Sequence, residues 1–270
     1  MMGYYGKNYY FDNIGKMTNK GVELSAVWND LRANWGYSIN GSVSFNRNKI
    51  DYMAEVAPAY SYNAQTGRPY GTLIGLVADG FYDVDDFNAD GSLKADLPQP
   101  MFGAVQPGDI KYRDLDRSGF VDQNDVTKVG KSPYPEWTYS LGAAFNYRGF
   151  DFSFLLQGIA GASFNLLDNA VQTRAFVDNG NVYPIARGAW AYYPEQGIDT
   201  RATAIYPRLS LQDNSNNYRN STLWKRSGDF LKLRNVELGY TFAQPSLSKA
   251  GISKIRIYLS GVNLLTVSRL

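Results

Sequence analysis

Apolar and polar residues alternate along several segments of the chain. Between residues 35 and 46, polar or small residues hold the even positions, while the odd positions carry the large apolar residues Trp35, Tyr37, Ile39, Val43 and Phe45. A strand points successive side chains to opposite faces, so this period of two predicts a strand with one apolar face. The same pattern predicts further strands at 22–29, 137–147, 150–157, 236–242 and 255–260.

Two features interrupt the alternation. Leu231 and Leu233 are out of phase with the apolar positions that follow them, which predicts a β-bulge near Asn235. Helical periodicity is rare in this chain, and the segment FNLLDNAVQTRAF at 164–176 is the one candidate helix.

Short and long connections take turns along the chain. Residues 30–34 form a short connection, Arg148-Gly149 predicts a tight hairpin turn, and 243–254 is of moderate length. The long excursions 47–136 and 160–230 lie between them. Such an order is typical of outer-membrane β-barrels, which have short periplasmic turns and long outer loops. The predicted fold is all-β, an antiparallel transmembrane β-barrel segment (a partial barrel of about six to eight strands) with long extracellular loops.

A soluble β-sandwich is the alternative, because its strands show the same alternation. Three observations favour the barrel. The strands are about ten residues long, as a tilted membrane strand requires. Aromatic residues such as Trp28 and Trp137 lie near strand ends, and the polar faces are rich in Ser, Asn and Thr rather than Lys and Glu. The chain has no run of 18 apolar residues, so a transmembrane helix is not predicted.

Composition excludes several functions. The formal net charge is +2, from 27 basic and 25 acidic residues, so no nucleic-acid partner is predicted. The chain contains neither cysteine nor histidine, which excludes disulfides, thiolate zinc sites and Ser-His or Cys-His catalysis. The strand carboxylates Glu23, Asp151 and Glu237 show no pairing that would suggest a glycosidase. The sequence therefore predicts that the protein is not an enzyme.

An acidic segment, YRDLDRSGFVDQNDVTKVG, holds the most specific chemistry. Positions 1, 3, 5, 7, 9 and 12 of a calcium-loop pattern are occupied by Asp114, Asp116, Ser118, Phe120, Asp122 and Asp125. Gly119 takes the sixth position, where such loops bend sharply, and Phe120 would offer its carbonyl. Asp125 replaces the usual Glu, so modest affinity is expected. The spacing predicts a structural calcium site; an Asx-rich surface turn is the alternative.

The order of these motifs resembles a known family. PGDIKYRDLDRSGFVDQNDVTKVG, the following Pro-Glu, the GFD hairpin and FSFLLQGIAG resemble the late segment of SusC/RagA-type TonB-dependent outer-membrane transporters of Bacteroidetes. NKGVELSAVWND, GDFLKLRNVELGYTF and IRIYLSGVNLLTVS resemble strands of the same family. The resemblance covers essentially the whole chain. It implies that 1–270 is the C-terminal part of a receptor β-barrel, truncated at both ends, whose export signal and plug would lie outside this sequence.

The resemblance also implies a function and partners. A full receptor of this family imports glycan oligomers or peptides together with a SusD-like surface lipoprotein, contacts TonB through an N-terminal region missing here, and lies in outer-membrane lipid. Aromatic residues of the second long loop could then stack on an oligosaccharide or peptide substrate, or pack the loop against itself: Trp190, Tyr192, Tyr193, Tyr206 and Trp224. A soluble calcium-stabilised β-domain of a cell-surface adhesin or binding protein is the alternative function.

Overall fold

The computed structural model describes residues 13–169, 173–243 and 251–269. Six long strands form one antiparallel sheet in the order in which they follow one another along the chain. They are β1 (Gly15–Leu31), β2 (Trp35–Met53), β3 (Trp137–Tyr147), β4 (Phe150–Ala160), β5 (Phe230–Phe242) and β6 (Ile255–Ser268). Every sequence-predicted strand is present in this sheet, and the all-β prediction with neighbouring antiparallel strands is confirmed.

The predicted turn and bulge are both present. Phe150 pairs with Tyr147, so Arg148 and Gly149 alone form the turn, with φ values of 47° and 91°. Positive φ at both central residues is the geometry whose twist matches that of paired strands. The pairing of β4 with β5 shifts between Leu155 and Leu156, where Arg234 is skipped, beside the predicted bulge position.

The predicted helix at 164–176 is wrong at its start. A short strand, Ser163–Asn165, pairs with Lys225–Ser227 instead, and a 3-10 turn follows at Leu166–Asn169. Asn165 explains the early turn, because its side-chain oxygen accepts a hydrogen bond from Leu167 N and caps the new segment. Residues 170–172 of the candidate helix lie outside the described residues.

The two long excursions contain only short elements. Their strands pair in twos: Ile74–Gly75 with Thr127–Lys128, Ala78–Phe81 with Ile110–Tyr112, Gln99–Pro100 with Phe120–Val121, and Tyr192–Tyr193 with Ile198–Asp199, besides the pair named above. The 3-10 turns are Ser61–Asn63, Val84–Asp86, Gln123–Asp125, Leu166–Asn169, Val177–Asn179, Pro184–Gly188 and Pro194–Gln196. Within the described parts of the chain, no helix is both long and apolar enough to cross a membrane.

The hydrophobic core lies between the long excursions and not in the sheet. Leu76, Ile110, Tyr112 and Val121 come from the first excursion; Ala175, Ala186, Tyr206 and Trp224 come from the second. All eight are buried, and they form one cluster. We call the two excursions with this shared cluster the loop unit. The sheet therefore joins a separately packed loop unit at the ends of β2, β3, β4 and β5.

Candidate functional site

One face of the sheet collects the apolar side chains of all six strands, and we call it the apolar face. The pairing register aligns residues into rows across it; one row contains Leu24, Val43, Tyr139, Gly158, Leu231 and Val267. The skipped residue near Asn235 returns Leu231 and Leu233 to this face. Many of these side chains are exposed, among them Leu24 at 66% and Leu259 at 78%. A continuous exposed apolar face of this kind marks an interaction surface or an apolar environment.

The opposite face of the sheet is polar. Ser42 and Ser140 are paired across β2 and β3, and their hydroxyl oxygens lie 2.8 Å apart. Farther along the sheet, Arg256 donates hydrogen bonds to both Asp151 and Glu237. Asp151 and Glu237, two of the three strand carboxylates for which the sequence suggested no pairing, thus share one guanidinium. Both carboxylates are held by the same guanidinium, and its single positive charge leaves one negative charge in excess among the three groups.

The Asp151–Arg256 ion pair depends on a glycine. A Cβ atom added to Gly239 would lie 2.4 Å from Asp151 Oδ2 and 2.7 Å from Arg256 Nη2. The pair therefore passes directly over the backbone of β5, which only glycine leaves open. These residues are far apart in sequence, and no local motif indicates their contact.

A buried ion pair joins the two excursions within the loop unit. Asp109, which is fully buried, lies 2.7 Å from Arg208 Nε. The same carboxylate accepts hydrogen bonds from the side-chain amides of Asn214 and Asn217 and from Gln106 N. A buried carboxylate is costly unless it is paired and hydrogen-bonded in this way.

Three of the candidate ligand-binding aromatics are packed inside the loop unit. Tyr206 and Trp224 are fully buried against each other, with ring centroids 5.6 Å apart and nearly perpendicular planes. The Tyr206 hydroxyl donates to Thr173 O, and Trp224 Nε1 donates to Asn217 O at 2.8 Å. Trp190 is also buried. In this conformation Tyr206 and Trp224 present no open ring face to a ligand.

The other two candidate aromatics lie at the surface of the loop unit. One face of Tyr192 is covered by Arg201, whose guanidinium carbon lies 3.8 Å from the ring centroid. Tyr193 is exposed at 57%. Ligand stacking by Tyr192 and Tyr193 stays a prediction.

The acidic segment folds so that three of its carboxylates converge. Asp114, Asp116 and Asp125 each bring an oxygen within 4.8 Å of the others. Backbone amides help to hold them: Gly119 N donates to Asp114, Ser118 N to Asp116, and Leu115 N to Asp125. The φ of 85° at Gly119 forms the sharp bend between them. Carboxylate oxygens are ligands that a hard divalent cation such as Ca²⁺ prefers, and these three would supply part of the about six to eight oxygens that Ca²⁺ takes.

The remaining members of the predicted ligand set point elsewhere. Asp122 caps the 3-10 turn Gln123–Asp125 by accepting a hydrogen bond from Asn124 N at 2.6 Å. Ser118 Oγ lies 3.1 Å from the Phe120 carbonyl oxygen, and the Phe120 ring is exposed. The pKa of Asp116 lies below its ordinary value, mainly because the Ser118 side chain donates to it. Neighbouring Tyr60 has a raised pKa, because its hydroxyl is hydrogen-bonded to the Asp116 carboxylate.

Comparison with known proteins places the whole chain among large receptors. It is 25% identical over 280 residues to TonB-dependent receptor P3 of Formosa agariphila, covering 97% of this chain and 25% of that protein. TonB-dependent receptor P26 of the same organism is 26% identical over 271 residues, and the match covers 96% of this chain and 26% of that receptor. No family model matches the chain. The chain spans about a quarter of the length of these curated relatives.

Solved structures agree on the fold. The RagAB peptide transporter matches with a TM-score of 0.61 at 18% identity, over 96% of this chain and 26% of the other. The RagAB peptide importer in the closed-closed state matches with a TM-score of 0.60 at 19% identity, over 96% of this chain and 27% of the other. At this level of identity the likeness establishes the fold alone.

Over nearly its whole length the chain is similar to part of a TonB-dependent receptor, a class of proteins of the bacterial outer membrane. Its fold matches part of the RagAB peptide transporter, and the family resemblance that the motifs indicated is confirmed. The predicted outer-membrane location is confirmed with it. Because the matched receptors are not enzymes, the non-enzymatic prediction is confirmed as well.

Proposed function

We propose that the chain forms a section of the transmembrane barrel wall of an outer-membrane TonB-dependent transporter. The observation that carries this proposal is the apolar face, which continues across all six strands and is exposed from β1 to β6. Barrel strands alternate between lipid-facing apolar and lumen-facing polar residues, as the two faces here do. The polar face with Ser42, Ser140 and the Arg256 ion pairs would then line the lumen.

The loop unit forms the outer rim of the transporter in this proposal. Its two excursions leave the same end of the sheet and share a core, which gives a rigid surface above the barrel opening. Such a surface can contact a SusD-like lipoprotein and the incoming substrate. The matched RagAB complex is described as a peptide transporter, which favours peptides over glycan oligomers as substrate. TonB would act through a part of the receptor outside this chain.

Single-cysteine labelling tests the placement of the strands. The chain contains no cysteine, so substitutions within it introduce unique thiols. In the full-length receptor in membranes, stripped of cysteines elsewhere, Leu24→Cys and Leu238→Cys should react with a lipid-soluble maleimide. Their neighbours Ser25→Cys and Glu237→Cys should react with a water-soluble maleimide instead. Identical labelling of neighbouring positions would contradict a barrel wall.

Uptake measurements test the transport itself. Cells that express the full-length receptor with its lipoprotein should accumulate labelled oligopeptides, and removal of TonB or the lipoprotein should abolish accumulation. Labelled glycan oligomers of similar size serve as the competing substrate class. Uptake that persists without TonB would contradict the proposal. Release of the receptor from membranes by salt alone, without detergent, would favour the calcium-stabilised adhesin domain.

We further propose that Asp114, Asp116 and Asp125 hold a structural Ca²⁺ ion within the loop unit. The convergence of their oxygens supports this, because three carboxylates so close together repel one another without a cation. Asp122 is not included, since it caps the following turn. The ion would tie the segment 114–125 to the rim surface and has no role in the chemistry of transport.

A further inference from the structure

Two cations face each other across β1 and β2 at the end of the sheet nearest the loop unit. Lys20 pairs with Arg47, and Lys49 follows diagonally, opposite Thr18. Like charges directly opposite each other destabilise a sheet. The alternation places these side chains on the apolar face, one step beyond the pair of Val22 and Phe45. The apolar face therefore ends in three positive charges.

The basic cluster (Lys20, Arg47 and Lys49) has little internal compensation. Neither lysine forms an ion pair with any residue within 13–169, 173–243 or 251–269. Arg47 lies 3.4 Å from Glu136, which also binds Lys131 at 2.8 Å. These side chains are exposed rather than folded against the protein. The charge is thus available to an external anion.

The basic cluster lines a cavity. A concave space of about 500 Å³ is bounded by the three cations, by Phe45 and by Gly67 and Pro69 of the first excursion. Asp51 is the one carboxylate in the lining, and it accepts a hydrogen bond from Thr18. Three cations and one carboxylate leave a net positive charge in a space large enough for a phosphate group.

An aromatic pair marks the boundary between this cavity and the apolar face. The ring centroids of Phe45 and Trp137 lie 4.6 Å apart, and both side chains belong to the row next to the basic cluster. Aromatic side chains of this kind occupy the level of lipid headgroups. An anion seated on Lys20 and Lys49 would therefore lie just above an apolar surface suited to acyl chains.

We propose that the basic cluster binds the phosphate of a membrane lipid headgroup, whose acyl chains lie along Val22 and Phe45. The inference rests on the proposed placement of the apolar face in lipid. A phosphate oxygen between Lys20 and Arg47 offsets their repulsion, which explains why two cations stand opposite each other. The adjoining apolar surface selects a lipid over free phosphate, because free phosphate has nothing to bury there.

The test uses the full-length receptor in phosphatidylcholine nanodiscs that contain increasing amounts of phosphatidylglycerol. Lys20→Gln with Lys49→Gln removes two charges of the basic cluster and leaves the Arg47–Glu136 pair intact. Lys94→Gln with Lys128→Gln removes two exposed charges elsewhere in the loop unit and is the matched control. Because each cation near a membrane surface is worth about 1 kcal/mol, the first variant should bind phosphatidylglycerol about thirtyfold more weakly. The control should match the unsubstituted receptor.

Each other outcome has a definite meaning. If both variants bind phosphatidylglycerol equally weakly, the loss comes from the net charge of the receptor alone, and the proposed site is overturned. Displacement of phosphatidylglycerol by inorganic phosphate at similar concentration would make the site one for soluble phosphate and overturn the lipid assignment. Failure of the receptor to enter nanodiscs of either lipid would overturn the barrel placement itself. Normal incorporation with unchanged lipid affinity in the first variant would overturn the lipid site alone.

Discussion

Asp109 lies 2.7 Å from Arg208 Nε, so one ion pair connects the first long excursion with the second. The carboxylate is fully buried, whereas the arginine side chain is exposed at 26%. Asn214 and Asn217 complete the set of donors around Asp109. The contact therefore orders a whole stretch of the second excursion around one charge of the first.

Asp109→Asn should loosen the loop unit in the full-length receptor. Breaking a fully buried ion pair lowers the free energy of unfolding by about 3–5 kcal/mol. Because Arg208 is partly exposed, the expected loss here is about 2–3 kcal/mol. Protease cleavage within the loop unit should accelerate accordingly. Asp79→Asn is the control, because its ion pair with Arg113 is exposed and worth about 0–1 kcal/mol. Equal cleavage of the two variants would contradict a structural role for Asp109.

Trp224→Ala should destabilise the loop unit by about 3–5 kcal/mol, because it removes a large buried ring. Tyr193→Ala should change its stability by less than about 0.5 kcal/mol, because this ring is exposed. Denaturant-dependent proteolysis measures both. If Tyr193 stacks on substrate, its variant should lose uptake while remaining stable. A stable Trp224→Ala receptor with reduced uptake would instead assign Trp224 to ligand binding.

Gly108→Ala should be more harmful than Gly80→Ala. Both glycines have a positive φ, 87° and 105°, so each alanine costs about 1–2 kcal/mol of backbone strain. At Gly108 the new Cβ would also lie 2.4 Å from the ring of Trp190, whereas at Gly80 no atom lies within 4 Å. Overpacking adds about 1–3 kcal/mol. Equal stability of the two variants, measured by thermal denaturation of the loop unit, would rule out the close contact.

Calcium should protect the acidic segment from proteolysis, and Asp116→Asn should remove most of this protection. The substitution takes away one of three converging carboxylates without deleting the side chain. Asp96→Asn removes an exposed carboxylate outside the cluster and is the matched control. Cleavage between residues 114 and 125 is compared in calcium and in chelator. If chelation leaves cleavage of the unsubstituted receptor unchanged, the segment is an acidic turn without an ion.

The loop unit should lose stability at alkaline pH in a way that depends on Tyr82. Burial raises the pKa of its hydroxyl to about 12, from an ordinary value near 10. Because the pKa is raised in the folded state, the folded loop unit favours the protonated hydroxyl. The contribution of Tyr82 to stability is therefore complete below about pH 10 and declines as the pH rises toward about 12. Tyr82→Phe should flatten the stability profile in this window. An unchanged slope in pH-dependent denaturation would mean that Tyr82 stays protonated or is solvated.

The sheet was predictable because its signals are local. Alternation gives the strands, Arg148-Gly149 gives the hairpin, and the phase of Leu231 and Leu233 gives the bulge. The loop unit gives no such signal, since its contacts join residues about 100 positions apart, such as Asp109 and Asn214. No periodicity connects them.

The acidic segment and the basic cluster show two further limits of the sequence. Asp122 fits the spacing of a calcium loop, and it fits equally well as the cap of the 3-10 turn that follows. In the structure its side chain caps that turn. The cluster of Lys20 and Arg47 was visible in principle, because both cations occupy positions in phase with the apolar residues. Only the pairing register shows that they face each other.

The shared core of the loop unit also constrains when it can form. Leu76 belongs to the first excursion and Trp224 to the second, and the hairpin of β3 and β4 separates the two excursions along the chain. Neither excursion can bury its apolar residues until that hairpin has formed and both excursions lie at the same end of the sheet. Contacts between residues so distant in sequence form slowly. During synthesis and insertion, the apolar residues of the first excursion therefore stay uncovered until the second excursion has been made, and exposed apolar residues of this kind favour aggregation.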